Sequence, residues 1–451
     1  MALRRGAQQG VSKALLLSSA LQGTEVSAAN QVSRASLRCI SSSVAPSAAD
    51  YSYEPPGTSH CFVPGPVNIH EKTRRAMMVP GQNHRDPWFS PFFSKLLEDV
   101  RLIFGTSNAQ TFIYPATGTG GWESGLQNTL SPGDKVLTWR YGQFSHLWVD
   151  MMERLGLEVQ VIDADWGAGV DEVKLAEILK ADTEKKIKAV AVVHNETTTG
   201  VTSDVGKIRE TMDGESHPAL LLVDGVSSIG GLNFEFDKWK VDVAITGSQK
   251  ALSLPTGLCV LAVSDKALEA HKTAKMPRVY FAWQDMLNNY PGGQVPYTPI
   301  IPLLHGLRAS LDLLSSEGFD NVVKRHHRLA EGTRKAAEAW GLKLLCKDPR
   351  WRSDSLTVIE VPEGVDSSLI VKNAFARYNL SLGVGLSKVA GKVFRIGHLG
   401  NNDEIMIASA ICGAEMSMLD AGMKIQPGSG IGAALKYWQE TSSIIPTRAA
   451  P

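Results

Sequence analysis

The chain has 451 residues, 43% hydrophobic and 20% charged, and its 46 basic side chains balance its 46 acidic ones. At about 100–200 residues per domain this is length for two or three domains with a sizeable core. Zero net charge and the absence of any apolar run near the ~18–20 residues of a membrane span speak against nucleic acid or a membrane as partner.

Residues 1–49 carry Arg4, Arg5, Lys13, Arg34 and Arg38 against a single acid, Glu25, and are rich in Ser and Ala. A basic amphipathic helix over Arg4–Leu21, with Leu15–Leu17 as its apolar side, predicts an organelle transit peptide. The alternative is a disordered extension.

From Cys61 onward short apolar, β-branched runs alternate with helix-like segments. The predicted strands are Val136–Thr138, Val159–Asp163, Ala189–Val193, Ala219–Val223 and Val243–Thr246; helices are predicted at Trp122–Leu130, Ser145–Leu155 and Glu172–Leu179. This alternation predicts an α/β fold, with a mainly parallel sheet covered by helices on both faces. A long helix is expected from Leu303 to Glu317, stopped by Gly318, then a charged helix over Val322–Trp340 and strands at Leu356–Val361 and Val393–Ile396. The expected organisation is an extension (1–50), a large domain with an N-terminal arm (51–302) and a smaller α+β domain (303–451). Five cysteines, Cys39, Cys61, Cys259, Cys346 and Cys412, are odd in number and never paired as C-x-x-C. They argue against a disulfide scaffold and a structural zinc site, so no metal is expected and a reducing compartment is.

Chemistry concentrates at the carboxyl ends of the strands. Asp224 directly follows the apolar run Leu221-Leu222-Val223, and Lys250 follows Val243–Thr246 by one short turn. In open parallel sheets that edge is where ligands bind. The small-residue turn Thr117-Gly118-Thr119-Gly120-Gly121 precedes a helix, so free backbone N–H groups and the helix dipole point at an anion, most often a phosphate. A lysine, an aspartate and a phosphate cradle on one edge are what pyridoxal 5'-phosphate needs. The lysine forms a Schiff base, and the aspartate keeps the pyridine nitrogen protonated so that the ring acts as an electron sink. Alone, a strand-terminal Asp is more often a cap or turn residue.

In this order the segments resemble the class V, fold type I aminotransferases, and within them the serine–glyoxylate and alanine–glyoxylate branch. The resemblance runs through Phe62-Val-Pro-Gly-Pro-Val-Asn68, Thr117-Gly-Thr-Gly-Gly-Trp-Glu123, Tyr141-Gly-Gln-Phe144, His194-Asn-Glu-Thr-Thr-Thr-Gly200, Asp224-Gly-Val-Ser-Ser228 and Thr246-Gly-Ser-Gln-Lys250. It continues through Pro296-Tyr-Thr-Pro299 and Val389-Ala-Gly-Lys-Val-Phe-Arg-Ile-Gly-His-Leu-Gly400, covering roughly residues 61–430. It implies a seven-stranded, mainly parallel sheet between helix layers, and a transaminase that moves the amino group of serine or alanine to glyoxylate.

The same resemblance implies the site. Lys250 is similar to the Schiff-base lysine and Asp224 to the partner of the pyridine nitrogen. Val226 and Phe144 take the positions that pack on the two ring faces, Phe144 standing where many members have Trp. Thr117, Gly118, Thr119 and Gln249 match the phosphate cradle, although some relatives have His at the position of Thr119. Thr197 matches a hydroxyl residue near the cofactor. Tyr297 and Thr298 resemble phosphate ligands given by the other subunit of a homodimer with shared active sites. Arg395 resembles the arginine that grips the substrate carboxylate, and His84 and Arg85 an N-terminal segment that reaches the partner's site.

Other motifs carry less. Gly118-x-Gly120 is followed by Glu123 where a dinucleotide fingerprint needs a small residue, and Ala390-Gly391-Lys392-Val393 lacks the Ser or Thr of a P-loop. Lys324-Arg325-His326-His327-Arg328 reads as a basic, solvated helix face, and Trp88, Trp283 and Trp340 as core or interface aromatics. Two other readings compete with transamination. Cysteine desulfuration needs a nucleophilic cysteine ahead of the carboxylate-binding arginine, and Cys412 lies beyond Arg395. A non-catalytic binding protein would be expected to have lost Lys250, Asp224 or Arg395, and all three are present. For location, related enzymes are often peroxisomal through a C-terminal Ser-Lys-Leu type tripeptide, which Ala449-Ala450-Pro451 does not match. Mitochondrial import is therefore expected, with plastids second.

Overall fold

Short runs of buried β-branched and aliphatic residues set the strands of this protein, and a computed structural model describes residues 57–444. The expected helix at Arg4–Leu21 and the terminal tripeptide lie outside the described residues. In chain order the strands are β1 (His60–Phe62), β2 (Gln110–Pro115), β3 (Lys135–Arg140), β4 (Glu158–Asp163), β5 (Ile187–Val193), β6 (Asn195–Glu196) and β7 (Val201–Thr202). They continue as β8 (Leu220–Asp224), β9 (Val243–Gly247), β10 (Leu258–Val263), β11 (Leu356–Glu360), β12 (Leu380–Val384) and β13 (Val393–Gly397). Every strand predicted from the sequence is present. β1, β2, β6, β7, β10 and β12 are not among the strands the sequence predicts.

The large sheet has seven strands in the order β2-β10-β9-β8-β5-β3-β4. The pairs β3–β4, β3–β5, β5–β8 and β8–β9 are parallel. β10 alone runs against its neighbours β9 and β2, because the link from Gly247 to Leu258 is too short for a covering crossover. Two reversals return β2 to the common direction, so β2, β3, β5, β8 and β9 all point their carboxyl ends at one edge. The central strands β8, β9 and β10 are buried throughout, as a sheet covered on both faces requires. Helix Gly118–Thr129 lies close on it: a side chain at Gly121 would overlap Ile245 and Cys259.

The smaller sheet has four strands, ordered β1-β12-β13-β11, and its own core, which includes Phe394, Ile396, Ile411 and Trp438. Its edge strand β1 comes from the far N-terminal side of the described chain and pairs parallel with β12. That pairing carries the following Pro64–Gly65 turn into the space between the sheets. Helix Ile301–Glu317 ends at Gly318, whose φ of 84° favours glycine, and helix Phe319–Ala339 follows at once.

One expectation is corrected here. The basic run in helix Phe319–Ala339 is a solvated face only in part: Lys324 and His327 are exposed, but His326 and Arg328 are buried. Arg328 is ion-paired to Glu404 and donates to the Trp438 carbonyl and, at 3.0 Å, to Thr441 Oγ1, while His326 Nε2 accepts the Gly400 N–H at 2.9 Å. The reason is tertiary: helix Ser429–Glu440 covers a second, polar face of this helix. Among the described residues no helix is long and apolar enough to cross a membrane.

Candidate active site

Asp224 is the last residue of β8 and Lys250 lies three residues beyond the end of β9, so parallel pairing of these neighbours sets both at the same edge. Both side chains are buried. Asp224 accepts the Val226 N–H at 2.8 Å, and burial pushes its pKa up to about 7. Burial, with the Arg395 guanidinium adding to it, brings the Lys250 amine down to about 8. Taking a charge out of water disfavours the charged form of each group, which moves acid and base in opposite directions. Lys250 Nζ donates to the Pro64 carbonyl. A Cβ at Gly65 would stand 2.6 Å from that nitrogen, so only glycine lets the β1 turn pass this close.

The anion cradle forms next to this pair. Helix Gly118–Thr129 begins at Thr117, which offers no side-chain cap, so its first N–H groups are free to bind an anion. Thr117 and Thr119 are exposed and Gly118 is buried. A Cβ on Gly118 would come within 2.6 Å of Val226, which places the helix start directly over the Asp224 turn. Gln249 brings Oε1, a buried oxygen with no hydrogen-bond partner among the described residues. Thr197 donates its hydroxyl to Ser227 Oγ at 2.9 Å, tying the loop after β6 to the same turn. Phe144 is half-buried in the first turn of helix Gln143–Arg154, which follows β3.

Arg395 arrives from the other sheet. It sits on β13, in register with Gly383 of β12, where a side chain would crowd it: a Cβ there would lie 2.9 Å from the Arg395 Cβ. Its Nε donates to Val384 O at 2.9 Å and its Nη1 to Thr197 O at 2.8 Å. Burial lowers its pKa to about 10, with Glu196 opposing. The guanidinium stays charged at any physiological pH.

Four residues from the sequence expectation stand apart. His84 is half-buried edge-on to Phe89, and Arg85 is exposed, with Nη1 on Gln294 Oε1 at 2.9 Å. Tyr297 stacks on Tyr280 and donates to Val279 O at 3.1 Å, and Thr298 is exposed beside it. None of the four hydrogen-bonds to Lys250, Asp224 or Arg395.

The structure adds a residue that sequence reasoning passed over. Glu196 is completely buried, and its carboxylate accepts the backbone N–H groups of Ser145, Thr198 and Phe144. Its signal in the sequence is the family-like run His194–Gly200 directly after a buried strand, in which the resemblance gave a role to Thr197 alone. Every residue of that run is buried. Burial raises the thiol pKa of Cys346 to about 11 and also raises that of Cys412, which disfavours a thiolate at either position.

A pyridoxal phosphate fits what is present. A ring nitrogen carrying a proton would meet the buried Asp224 carboxyl, a phosphate would meet the uncapped helix start and the unpartnered Gln249 side chain, and an aldehyde would meet a desolvated amine. The comparisons agree. The model of the aminotransferase class-V family matches residues 77–395. A serine–glyoxylate aminotransferase of Methylorubrum extorquens is 54% identical over 390 residues, covering 85% of this chain and 97% of that one. An L-aspartate–glyoxylate aminotransferase of Paracoccus denitrificans is 49% identical over 389 residues, covering 86% and 98%. The solved structure of an alanine–glyoxylate aminotransferase from Nostoc sp. superposes with a TM-score of 0.75 at 30% identity, covering 81% and 97%. With its lysine, aspartate and phosphate cradle on one sheet edge, this chain belongs to the class V aminotransferases and is a transaminase that uses pyridoxal phosphate.

Proposed function

We propose that the enzyme takes the amino group of L-serine and passes it to glyoxylate, leaving hydroxypyruvate and glycine. The observation that carries this reading is the 54% identity, over 85% of the chain, to a relative named for that reaction. L-Aspartate is a second donor reading, favoured by the 49% identical relative, and alanine a third, favoured by the Nostoc structure. Donor profiling of purified protein with glyoxylate, following glycine, tests it. Serine should be the fastest donor; a higher kcat/KM for aspartate or alanine would replace it.

Bound pyridoxal phosphate supplies an aldehyde that takes up amino groups and a ring that withdraws electrons. Lys250 serves as nucleophile and as proton carrier at the substrate Cα, a role that suits an amine held near neutrality. Asp224 would hold the proton at the ring nitrogen, and Phe144 and Val226 would pack against the ring. Thr117, Gly118, Thr119 and Gln249 would hold the phosphate, Thr197 would stand near the ring, and Arg395 would take the substrate carboxylate in a two-pronged contact. His84, Arg85, Tyr297 and Thr298, set apart within one chain, complete the site of the neighbouring subunit in a homodimer. Asp224→Asn should lower kcat about a hundredfold and change KM little, since the withdrawn charge develops in the transition state. Steady-state kinetics on the cofactor-loaded variant would show it, and an unchanged kcat removes Asp224 from that role.

Mitochondrial import of the precursor, with cleavage before Tyr51, is part of the same proposal. It is supported by the basic, acid-poor composition of residues 1–49. A fusion of residues 1–50 to a fluorescent reporter should enter mitochondria. Cytosolic, plastid or peroxisomal fluorescence would overturn it.

A further inference from the structure

Helix Gln143–Arg154 begins without a cap of its own, because Gly142 has no side chain to offer. Its first three N–H groups are instead held from the β6–β7 hairpin. Gln143 N–H donates to Thr198 Oγ1 at 3.3 Å, Phe144 N–H to Glu196 Oε1 at 3.4 Å, and Ser145 N–H to Glu196 Oε2 at 2.9 Å. Glu196 Oε1 also accepts the Thr198 N–H at 3.0 Å, which locks the carboxylate plane. A Cβ at Gly142 would overlap the Glu196 carboxyl group, so the glycine is what admits this acid.

Such an arrangement exceeds what a helix cap requires. A Ser or Asp at position 142 would cap locally and favourably, without burying a carboxylate from another strand. What the distant acid adds is a link. Thr197, the next residue, holds Arg395 through its carbonyl and Ser227 through its hydroxyl. One dipeptide therefore ties together the Phe144 helix start, the Asp224 turn and the carboxylate-gripping arginine. Phe144 is only half-buried, so its ring direction depends on how its backbone is held.

We infer that Glu196 is a positioning residue whose carboxylate fixes the Phe144 backbone, and so its ring, for stacking on the cofactor. This rests on the reading of Phe144 as a stacking residue. The amide of Glu196→Gln has the same shape, yet turns one acceptor into a donor facing an N–H group, which breaks one of the anchoring bonds.

A double-mutant cycle on the full-length holoenzyme tests it, using Glu196→Gln, Phe144→Ala and the pair together. Two readouts are needed: the dissociation constant of pyridoxal phosphate, and the visible circular dichroism per bound cofactor, which reports a fixed ring tilt. Glu196→Gln should weaken cofactor binding about tenfold and reduce the dichroism, the size expected for a lost cap and a misaligned aromatic contact. In the Phe144→Ala background the same change should cost less than about twofold. If Glu196→Gln yields no soluble protein, Glu196→Asp keeps the charge but shortens the reach, and should show a smaller loss with the same dependence on Phe144. Equal losses in both backgrounds, or wild-type binding and dichroism in Glu196→Gln while Phe144→Ala binds weakly, overturn the inference alone. Wild-type cofactor binding in Phe144→Ala overturns the stacking reading and the inference with it.

Discussion

Lys250→Ala should bind pyridoxal phosphate noncovalently and lose essentially all amino transfer, on the order of ten-thousandfold in kcat, because nucleophile and proton carrier vanish together. The surroundings suit one amine to both proposed roles. Lys250 is buried, donates to a backbone carbonyl rather than to an acid, and has the Arg395 charge within electrostatic reach. Burial and the Arg395 charge favour the neutral amine, the Asp224 and Glu196 carboxylates oppose them, and the result is a pKa near 8. The fraction of free amine therefore rises as pH climbs through 8, so loading of cofactor-free protein should speed between pH 7 and pH 9. Borohydride reduction of the yellow holoenzyme should fix the label on Lys250, read by peptide mapping. A label on another lysine would sink the central assignment.

Arg395→Lys should keep the cofactor and raise KM for both the amino donor and glyoxylate about a hundredfold, roughly 2.8 kcal/mol of lost binding. Two of the guanidinium nitrogens are committed to Val384 O and Thr197 O, which orients the plane and leaves the remaining N–H groups for a substrate carboxylate. A lysine ammonium offers neither the plane nor the paired donors, and at this buried position it would lose part of its charge as well. Both substrates carry a carboxylate, so both KM values should move together. Unchanged constants for both would take Arg395 out of the substrate site. Loss of cofactor binding instead would mean that the residue holds the fold between the two sheets.

The parts of the site legible in the sequence are those whose chemistry is local. Asp224 follows a run too apolar to be anything but a buried strand, Lys250 follows another by a short turn, and Thr117–Gly121 is a small-residue turn ahead of a helix. Each of these signals lies within a single strand–turn or turn–helix unit. Side-chain period and turn chemistry act over a few residues, so such units can be read without knowing what packs on them. Gly318 as a helix stop is legible for the same reason.

Whatever depends on a partner from elsewhere in the chain was decided by the tertiary structure. The pairing of β10 with both β9 and β2 brings the end of β2, and with it the Thr117 turn, to the edge that holds Asp224 and Lys250. Glu196, His326 and Arg328 look like solvated polar residues until the helices and hairpins that bury them are in place. Burying such groups is tolerable only with their hydrogen bonds made, and those partners lie up to 113 residues away, as Thr441 does from Arg328. The same holds for β1, which joins the far-off β12 and so lays the Pro64–Gly65 turn on the Lys250 amine. Sequence by itself determined which residue types stand at the strand ends; only long-range packing decided which of them share a dry pocket, because desolvation belongs to the assembled fold and not to any one segment.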